Sequence, residues 1–313
     1  MEQSTASQIF KQILVTQNAA FDYNHNMVML TFDDNYVDQS INLILSIASH
    51  NPENISFVCT CPQLSQKNID TLLNLNPGIQ IRCYDFALDL VMGRWALSAV
   101  LRLFSPWLLD EQISRVLYMD SDILCCGSLK ELFETDVTCI AMCNEISGNV
   151  SMIQQSNIRP HVPTRIYCNS GVVLFNLDYL RKNHTFHEIY TALNDVNGKV
   201  VYLDQDFLNL HFQGKIDVLN AFHYNFQAYE LKDTVFYKNA LKNCRLIHYS
   251  VGKPWLYKTK LHFIRLYLKQ SHYPPMIAKV KRTYWKSLAY SPIRGLRHML
   301  SPIKQAILSA KNK

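Results

Sequence analysis

The stretch VLYMDSDILCCGSLKELF, Val116 to Phe133, runs from an apolar strand directly into two acidic side chains. Asp120 and Asp122 flank Ser121 at the point where the strand ends. Because carboxylates repel each other and resist burial, this pair needs a compensating partner, most simply a divalent cation. Alternate side chains of an extended segment point the same way, so both carboxylates can reach one ion. Such oxygen ligands suit Mn²⁺ or Mg²⁺ and leave coordination sites for diphosphate oxygens; a ligand-free acidic turn is the alternative for the motif alone.

Apolar runs alternate with helical patterns on both sides of this stretch. MVMLTF is followed by helical spacing from Val37, and ISFVCT and IQIRCYDF are predicted to be the next two strands. Further strands are predicted at 115–120, 138–143, 171–177 and 245–250, and helices at 65–75, 97–109, 185–194 and 204–212. This alternation predicts an α/β fold with a mostly parallel, Rossmann-like sheet flanked by helices. In such sheets ligands bind beyond the carboxyl ends of the strands, where the acidic residues after MVMLTF and RVLYM both lie.

Composition limits the class of protein. The 313 residues are 48% hydrophobic and 18% charged, which excludes a disordered chain and an integral membrane protein. The sequence has no apolar window long enough to span a bilayer and no signal-peptide pattern at its start, so we expect the protein to stay in the compartment where it is made. Nine cysteines without a metal-binding spacing predict reduced, mostly buried thiols.

The charge is unevenly distributed. All 25 acidic residues and 18 of the 31 basic residues lie before Leu256, so an acidic body precedes a basic, aromatic-rich tail. In the tail, one helical stripe is basic and the next is apolar: Lys258, His262, Arg265 and Lys269 against Tyr257, Leu261, Ile264 and Leu268. This pattern is typical of interfacial helices that lie on anionic lipid. A nucleic-acid partner is not predicted, since no binding module accompanies the charge, and a solvated basic tail is the other alternative.

The acidic stretch resembles the D-x-D region of glycosyltransferase family 8, retaining sugar-nucleotide transferases that include bacterial lipopolysaccharide and lipooligosaccharide glucosyl- and galactosyltransferases. Further segments agree with that family in the same order: LTFDDNY, LRLFSPWLL, YCNSGVVLFNL, LDQDFLN and IHYSVGKPW. The resemblance covers residues 27–255, and several ordered motifs are more specific than any single one. It implies a GT-A fold, a UDP-glucose or UDP-galactose donor, and Mn²⁺ as the metal, with Mg²⁺ as the alternative.

The resemblance also implies roles for individual residues. The implied donor and metal site comprises Thr31, Asp33, Asn35, Arg102, Asp120, Ser121, Asp122, Asn169, Ser170, Asp204, Gln205, His248, Gly252 and Lys253. Within it, Asp120, Asp122 and His248 would bind the metal, and Lys253 the diphosphate. One departure is that Val251 stands where the family usually has glycine, with Gly252 following it.

Each segment also has a structural interpretation of its own. Asp34 or Asn35 is suited to cap a helix, and Arg102 to pair with an aspartate. Asp204 and Asp206, in the first turn of a helix, are favoured there by the helix dipole alone. A lone histidine such as His248 is more often a core residue than a ligand.

For the catalytic step, the resemblance places Gln205 near the anomeric carbon, with Asp204 and Asp206 as rival nucleophiles. Because an amide is a poor nucleophile, we favour front-face attack, in which the leaving phosphate accepts the proton of the acceptor. Two alternative functions stay open: an aspartyl-phosphate phosphatase, and an inactive protein that binds a glycan or nucleotide sugar.

The sequence thus predicts three regions: an N-terminal extension at 1–25, a catalytic GT-A domain at 26–255, and a membrane-associating appendage at 256–313. The acceptor is expected to be a lipopolysaccharide-type glycolipid or oligosaccharide, contacted by loops such as 145–165. We expect a cytoplasmic enzyme held peripherally at the inner face of the cell membrane.

Overall fold

The computed structural model describes residues 9–86, 97–145, 166–196, 198–227, 235–256 and 261–288. The strands are β1 (Phe10–Gln17), β2 (Asn26–Thr31), β3 (Ile55–Cys61), β4 (Gly78–Phe86), β5 (Arg115–Met119), β6 (Ile123–Cys125), β7 (Ile140–Asn144), β8 (Cys168–Asn176), β9 (Ile216–Leu219), β10 (Phe226–Gln227) and β11 (Leu246–His248). The helices are α1 (Val37–His50), α2 (Gln66–Leu73), α3 (Leu97–Leu101), α4 (Ser105–Leu108), α5 (Lys130–Glu134), α6 (Leu177–Asn183), α7 (Phe186–Val196), α8 (Leu203–His211), α9 (Ala221–Tyr224), α10 (Val235–Asn243) and α11 (Leu261–Gln270), and residues 274–288 are also helical.

The main sheet has eight strands in the order β1-β4-β3-β2-β5-β8-β7-β9. The neighbours from β4 through β3 and β2 to β5 are parallel, as are β7 and β9, whereas β8 is antiparallel to both β5 and β7. This arrangement confirms the predicted α/β fold with a mostly parallel sheet. Because β2 and β5 run in the same direction side by side, the acidic segments that follow them emerge at one edge of the sheet.

The edge strand β1 lies inside the segment that the sequence predicted as an extension. It pairs antiparallel with β4 from Phe10–Phe86 to Gln17–Gln80. Only Phe10 is fully buried, and the register shifts between Gln12 and Leu14. An edge strand with one poorly buried face and a bulge has no sustained apolar alternation, and for this reason the sequence pattern did not predict β1.

The predicted helix at 97–109 is also not continuous. It is divided into α3, a 3₁₀ turn at Arg102–Phe104, and α4. Pro106 stands in the first turn of α4, where its missing N–H costs nothing, and so a new helix starts there. The tighter turn at Arg102 directs its guanidinium toward the sheet edge, where it contacts the backbone oxygen of Ser170.

A second, three-stranded sheet stands beside the main one in the order β10-β11-β6. β6 pairs antiparallel with β11, so that His248 lies opposite Ile123. The Tyr249 N–H extends this ladder by donating to the Asp122 carbonyl over 2.9 Å. The sequence did not predict β6, which has only three residues and follows the acidic turn directly.

Apolar side chains cover both faces of the main sheet, and a third cluster backs the small sheet. That third cluster includes Phe263, Ile264 and Tyr267 of α11, with Met276 and Val280 from the helical residues 274–288. Each such buried side chain contributes roughly 1.5–3 kcal/mol. The first part of the predicted C-terminal appendage is therefore packed on the domain, and residues 289–313 lie outside the described residues. Across the ranges that the structure describes, no helix has the length and apolar character needed to cross a membrane.

Candidate active site

A cleft of about 300 Å³ opens at the edge of the sheet where β5 ends. Its lining comprises Ala99, Arg102, Asp120, Asp122, Glu145, Asn169, Ser170, Tyr202, Asp204, Gln205, Gln227, His248, Ser250, Val251 and Lys253. Residues from five of the quoted motifs therefore meet in one place, although these motifs are far apart in the sequence.

Three metal-ligand side chains converge in this cleft. The donor atoms of Asp120, Asp122 and His248 all lie within 4.8 Å of one another. His248 Nε2 is 3.1 Å from Asp122 Oδ1 and 3.7 Å from Asp120 Oδ2. Two carboxylates and one imidazole form a donor set that suits Mn²⁺. The residues present thus fit the predicted metal.

The tautomer of His248 follows from a chain of hydrogen bonds that begins at a backbone N–H. The Gly171 N–H donates to Asn169 Oδ1 over 2.9 Å, so that oxygen is an acceptor and the group facing it must be the NH₂ of Asn225. Asn225 Oδ1 consequently faces His248 Nδ1 at 2.8 Å and accepts its hydrogen. The lone pair of His248 is left on Nε2, directed at the two carboxylates. Burial lowers the pKa of His248 and favours this neutral form, although Asp120 and Glu145 partly oppose it.

Asn225 was not predicted as a site residue. It is fully buried and lies between α9 and β10, outside every motif that the sequence analysis used. Gly171 is likewise explained by the imidazole: a Cβ there would lie 2.4 Å from His248 Cε1. Gly171 therefore permits a close contact between the backbone and the His248 side chain.

Asp120 is held by two donors from neighbouring elements. The Tyr118 hydroxyl donates to Asp120 Oδ1 over 2.6 Å, and Arg102 Nη1 lies 3.0 Å from the same oxygen. Burial would raise the pKa of Asp120, but the cation of Arg102 and the Tyr118 hydroxyl outweigh it and lower that pKa. Asp120 is therefore ionised and ready to bind a cation.

Arg102 pairs with aspartates, as its structural interpretation predicted, and it also lines the cleft, while its contact with a sugar nucleotide stays a prediction. It bonds Asp120, approaches Asp204 Oδ2 at 3.3 Å, and lies 4.1 Å over the Tyr118 ring. Burial alone would lower the pKa of Arg102, but the charges of Asp120 and Asp204 hold it above its ordinary value. The guanidinium thus joins the metal-binding side of the cleft to α8.

The opposite wall is a hydrogen-bonded group of polar side chains. Gln205 Oε1 accepts from the Ser170 N–H and from Asn169 Nδ2, at 3.1 and 3.0 Å. Ser170 Oγ donates to Asp204 Oδ2 over 2.8 Å. Glu145 Oε2 accepts from Asn169 Nδ2 at 2.9 Å, and it adds a carboxylate that the sequence analysis did not identify. Glu145 directly follows β7.

Asp206, predicted as a rival nucleophile, does not line the cleft. One carboxylate oxygen accepts from the Tyr167 hydroxyl, and the other from the N–H groups of Val201 and Tyr202 at 3.0 and 2.8 Å. Both oxygens are thus committed to the start of α8, and burial raises the pKa of this fully buried group. Asp206 has the structural role that the helix-terminus interpretation predicted.

The predicted nucleoside-binding residues lie at the end of β2 and in the turn after it, and they do not line this cleft. Thr31 Oγ1 lies 3.3 Å from the Tyr118 hydroxyl, which connects it to Asp120. Asp33 caps the short 3₁₀ turn after β2 by accepting from the Asn35 N–H over 2.9 Å. The cap of this turn is therefore Asp33 and not Asp34 or Asn35, and Asp34 instead accepts from the Ser65 N–H over 3.1 Å, directly before α2.

The remaining predicted residues lie on two loops. Ser121 bonds Ser40 Oγ of α1 over 2.8 Å and is directed away from the cleft. Lys253 contacts Asp122 Oδ2, and burial lowers the pKa of this lysine to about 8. Gly252 has φ +74°, a left-handed conformation that favours glycine and turns the chain so that Lys253 faces the carboxylates.

Residues 27–259 match the sequence pattern of the family described as Glycosyl transferase family 8. The chain belongs to glycosyltransferase family 8. The predicted enzyme class is therefore confirmed, and the alternative of an aspartyl-phosphate phosphatase was wrong.

The curated relatives of this family 8 chain include bacterial enzymes. It is 26% identical over 247 residues to a lipopolysaccharide 1,2-glucosyltransferase of Escherichia coli, a match that covers 71% of each chain. It is also 26% identical to a lipopolysaccharide 1,3-galactosyltransferase of Salmonella typhimurium, over 51% of this chain and 50% of that one.

Solved structures confirm the predicted GT-A fold. The galactosyltransferase LgtC, in a complex with donor and acceptor sugar analogs, superposes with a TM-score of 0.57 at 22% identity, covering 74% of this chain and 90% of LgtC. The apo form of the bifunctional glycosyltransferase WbbM superposes with a TM-score of 0.60 at 22% identity, over 87% of this chain and 52% of that one.

Proposed function

We propose that this family 8 enzyme transfers glucose or galactose from a UDP-sugar to a lipopolysaccharide-type acceptor, with Mn²⁺ and with retention of configuration. The observation that carries the proposal is the convergence of Asp120, Asp122 and His248 donor atoms within 4.8 Å. The relatives named as lipopolysaccharide glucosyl- and galactosyltransferases support the donor sugars and the acceptor class.

Asp120, Asp122 and His248 would hold the metal, and Asn225 keeps the imidazole in the tautomer that this requires. When bound, the metal supplies positive charge to the diphosphate that leaves the sugar. The Lys253 ammonium, on the adjacent loop, adds a second positive charge at the same end of the cleft. This charge distribution favours departure of a diphosphate without a strong general acid.

Binding of the donor sugar is assigned to the opposite wall of the cleft. There Asn169, Ser170, Asp204 and Gln205 hold one another by hydrogen bonds, so their polar groups are already oriented before a ligand arrives. Glu145 adds an acceptor on the same side. Preorganised polar groups of this kind orient a substrate at low entropic cost.

Front-face attack is the mechanism that the geometry supports. Gln205 is an amide held by Asn169 and the Ser170 N–H, and Asp204 is held by Ser170 and Arg102. Asp206 does not reach the cleft. In this mechanism the hydroxyl of the acceptor attacks on the side of the departing phosphate, and a phosphate oxygen accepts its proton. A glycosyl adduct trapped on Asp204 or Gln205 in the wild-type enzyme would contradict it.

Attachment to an anionic membrane is the second part of the proposal, and it rests on one exposed surface. Lys281, Arg282, Lys286 and Trp285 are exposed on the helical residues 274–288, and 67% of Trp285 is accessible. Basic residues around an exposed indole are typical of segments that lie on anionic lipid. Such a surface would bring the enzyme to a lipid-linked acceptor at the cytoplasmic face of the membrane.

A donor screen tests the catalytic part of the proposal. We expect release of UDP from UDP-glucose or UDP-galactose when Mn²⁺ is added, and loss of that release in the presence of a chelator. No release from any UDP-sugar with Mn²⁺, or equal release without it, would contradict the proposed reaction and favour a binding protein.

A further inference from the structure

The C-terminal helix α11 lies directly behind the pair of strands that carries two of the metal ligands. Asp122 precedes β6 and His248 ends β11, and these strands pair antiparallel. The Tyr249 N–H donates to the Asp122 carbonyl over 2.9 Å, next to the ladder. The separation of the two ligands is therefore set by the position of one strand against the other.

The rear of this strand pair is packed against the C-terminal region. Leu124 of β6, Ile247 of β11 and the adjoining Tyr249 belong to the same apolar cluster as Phe263 and Tyr267 of α11. Tyr249 is fully buried, and its ring meets that of Tyr267 edge to face at 5.1 Å. Edge-to-face pairs of this kind add stabilisation beyond the area that they bury.

Tyr267 also contacts helix α1. Its hydroxyl accepts from Asn42 Nδ2 of α1 over 2.9 Å, and Asn42 Oδ1 accepts from the N–H groups of His272 and Tyr273 at 2.8 and 3.0 Å. Asn42 is completely buried, so these hydrogen bonds fix how α11 and the segment after it sit against α1.

Helix α1 in turn holds the loop of metal ligands at two points. Ser40 Oγ bonds Ser121 Oγ at 2.8 Å, and Ser46 Oγ accepts from the Cys125 N–H over 3.0 Å. Tyr267 thus connects helix α1, which bonds the loop that contains Asp122, to Tyr249, which follows His248. The contacts form a closed path around the metal ligands, with Tyr267 at its rear.

We propose that Tyr267 is a positioning residue for the metal site, acting through Tyr249 and Asn42 on the separation of Asp122 and His248. The proposal rests on the proposed function, because it assumes that the cluster binds Mn²⁺. The proposal also makes α11 a part of the catalytic domain, whether or not this helix contacts a membrane.

Mn²⁺ binding by the full-length protein tests this assignment, with free Mn²⁺ measured by electron paramagnetic resonance and no donor present. We expect Tyr267→Leu to raise the dissociation constant for Mn²⁺ about 10-fold, the scale typical of residues that support metal ligands. Tyr267→Phe keeps the ring against Tyr249 but loses the hydrogen bond to Asn42, so it should weaken Mn²⁺ affinity measurably, though less than Tyr267→Leu does. The matched control is Val280→Ala, a fully buried change in the same cluster, which should lower the melting temperature and leave Mn²⁺ affinity unchanged.

The outcomes separate this assignment from the proposed function. A wild-type protein that binds no Mn²⁺ would overturn both. Wild-type binding, together with equal Mn²⁺ affinity in Tyr267→Leu and Val280→Ala, would overturn the role of Tyr267 and leave the proposed function standing. If Tyr267→Leu does not fold, Tyr267→Phe decides alone: a weakened Mn²⁺ affinity without a change in circular dichroism supports the role, and wild-type affinity overturns it.

Discussion

The hydroxyl of Tyr118 lies 2.6 Å from Asp120 Oδ1 and 3.3 Å from Thr31 Oγ1. One buried phenol therefore joins the end of β2 to the first of the proposed metal ligands. Burial, to which the neighbouring Asp120 adds, raises the pKa of Tyr118, so its proton stays available for donation even though the cation of Arg102 opposes the shift. The Tyr118 hydroxyl therefore donates to one oxygen of Asp120, and His248 Nε2 faces the other.

Replacement of Tyr118 by phenylalanine removes this donor and keeps the ring under Arg102. We expect the dissociation constant for Mn²⁺ to rise about 10-fold, because a residue that orients a metal ligand typically has an effect of this size. Titration with Mn²⁺ by electron paramagnetic resonance measures it. Tyr84→Phe is the matched control, since that hydroxyl donates to the Leu108 carbonyl far from the metal cluster. Equal affinities in the two variants would contradict the role of Tyr118.

Asn225→Ala should leave His248 Nδ1 without its acceptor. The imidazole is then free to change tautomer or rotate, so we expect a loss of Mn²⁺ affinity of about 10- to 100-fold. Nitrogen-15 NMR of the histidine ring should show a mixture of tautomers where the wild type shows hydrogen on Nδ1. Asn220→Ala, which removes only the cap of α9, should retain the wild-type ring signals. A single unchanged tautomer in Asn225→Ala would refute the assignment.

Asp122→Ala should lower the rate of sugar transfer at least about 1000-fold at saturating Mn²⁺. The reason is that electrostatic stabilisation of the leaving group is the main catalytic contribution. It also removes the carboxylate that Lys253 contacts. Release of UDP measures the activity, and circular dichroism checks that the fold is intact. Asp136→Ala removes an exposed carboxylate and should retain full activity. Substantial activity in Asp122→Ala would contradict the assignment of Asp122 as a metal ligand.

The imidazole of His211 should make the free energy of unfolding depend on pH. Burial, with His184 and Lys215 nearby, lowers the pKa of His211 to about 4, against an ordinary value of 6.5. The carboxylate of Glu188 opposes this lowering of the pKa of His211. Because the folded protein favours the neutral ring, the stability present above pH 6.5 is lost progressively as the pH falls toward 4.

His211→Phe keeps a ring against Phe207 and removes the titration. We expect it to reduce the loss of stability between pH 7 and pH 4 by roughly 1–3 kcal/mol, measured by urea unfolding at each pH. His223→Phe changes an imidazole outside this cluster and should keep the wild-type slope. The same slope in all three proteins would show that His211 is not the group responsible.

Binding to anionic vesicles should depend on the exposed basic residues of the C-terminal region. Reversal of Lys281, Arg282 and Lys286 to glutamate should weaken sedimentation with such vesicles at least about 100-fold, since each basic residue contributes about 1 kcal/mol at the surface. The same reversal at Lys11, Lys67 and Lys182 gives an equal change of net charge on exposed sites elsewhere. Equal losses in the two triple variants would indicate only a general charge effect.

A chain shortened after Trp255 is unsuitable for that experiment. It lacks Phe263, Ile264 and Tyr267, whose removal exposes the apolar cluster behind β6 and β11. Any loss of vesicle binding would then be confounded with loss of folding. Charge reversal at exposed positions avoids this, because it leaves the packing unchanged.

Asp120 and Asp122 could be singled out from the sequence because they follow an apolar run, whereas His248 was added by the family resemblance. The structure brings these three side chains together, and their binding of a metal stays a prediction. Asn225 and Glu145 could not be found in this way. Their contacts are with residues far along the chain, and an isolated asparagine or glutamate after a strand carries no local signal.

The same reasoning applies to the fold. Strands β2 to β5 are buried on both faces and were predicted from their apolar runs, whereas β1 and β6 were not. Whether an edge residue such as Ile13 lies in a strand depends on the neighbour that completes its hydrogen bonds. The packing of Tyr267 was hidden for a related reason: its basic surroundings in the sequence suggested a separate tail, although one face of α11 is as apolar as any core helix.

The pairing of β6 with β11 has a consequence for biosynthesis. A chain emerging from the ribosome contains Asp120 and Asp122 long before His248 and Tyr267 are translated. The aspartates therefore have no imidazole partner until the last part of the domain arrives, and strand pairing between such distant segments is slow compared with local folding. Nascent chains should thus assemble the cluster of Asp120, Asp122 and His248 only after this last part of the domain is made, so shorter chains would lack the proposed metal site.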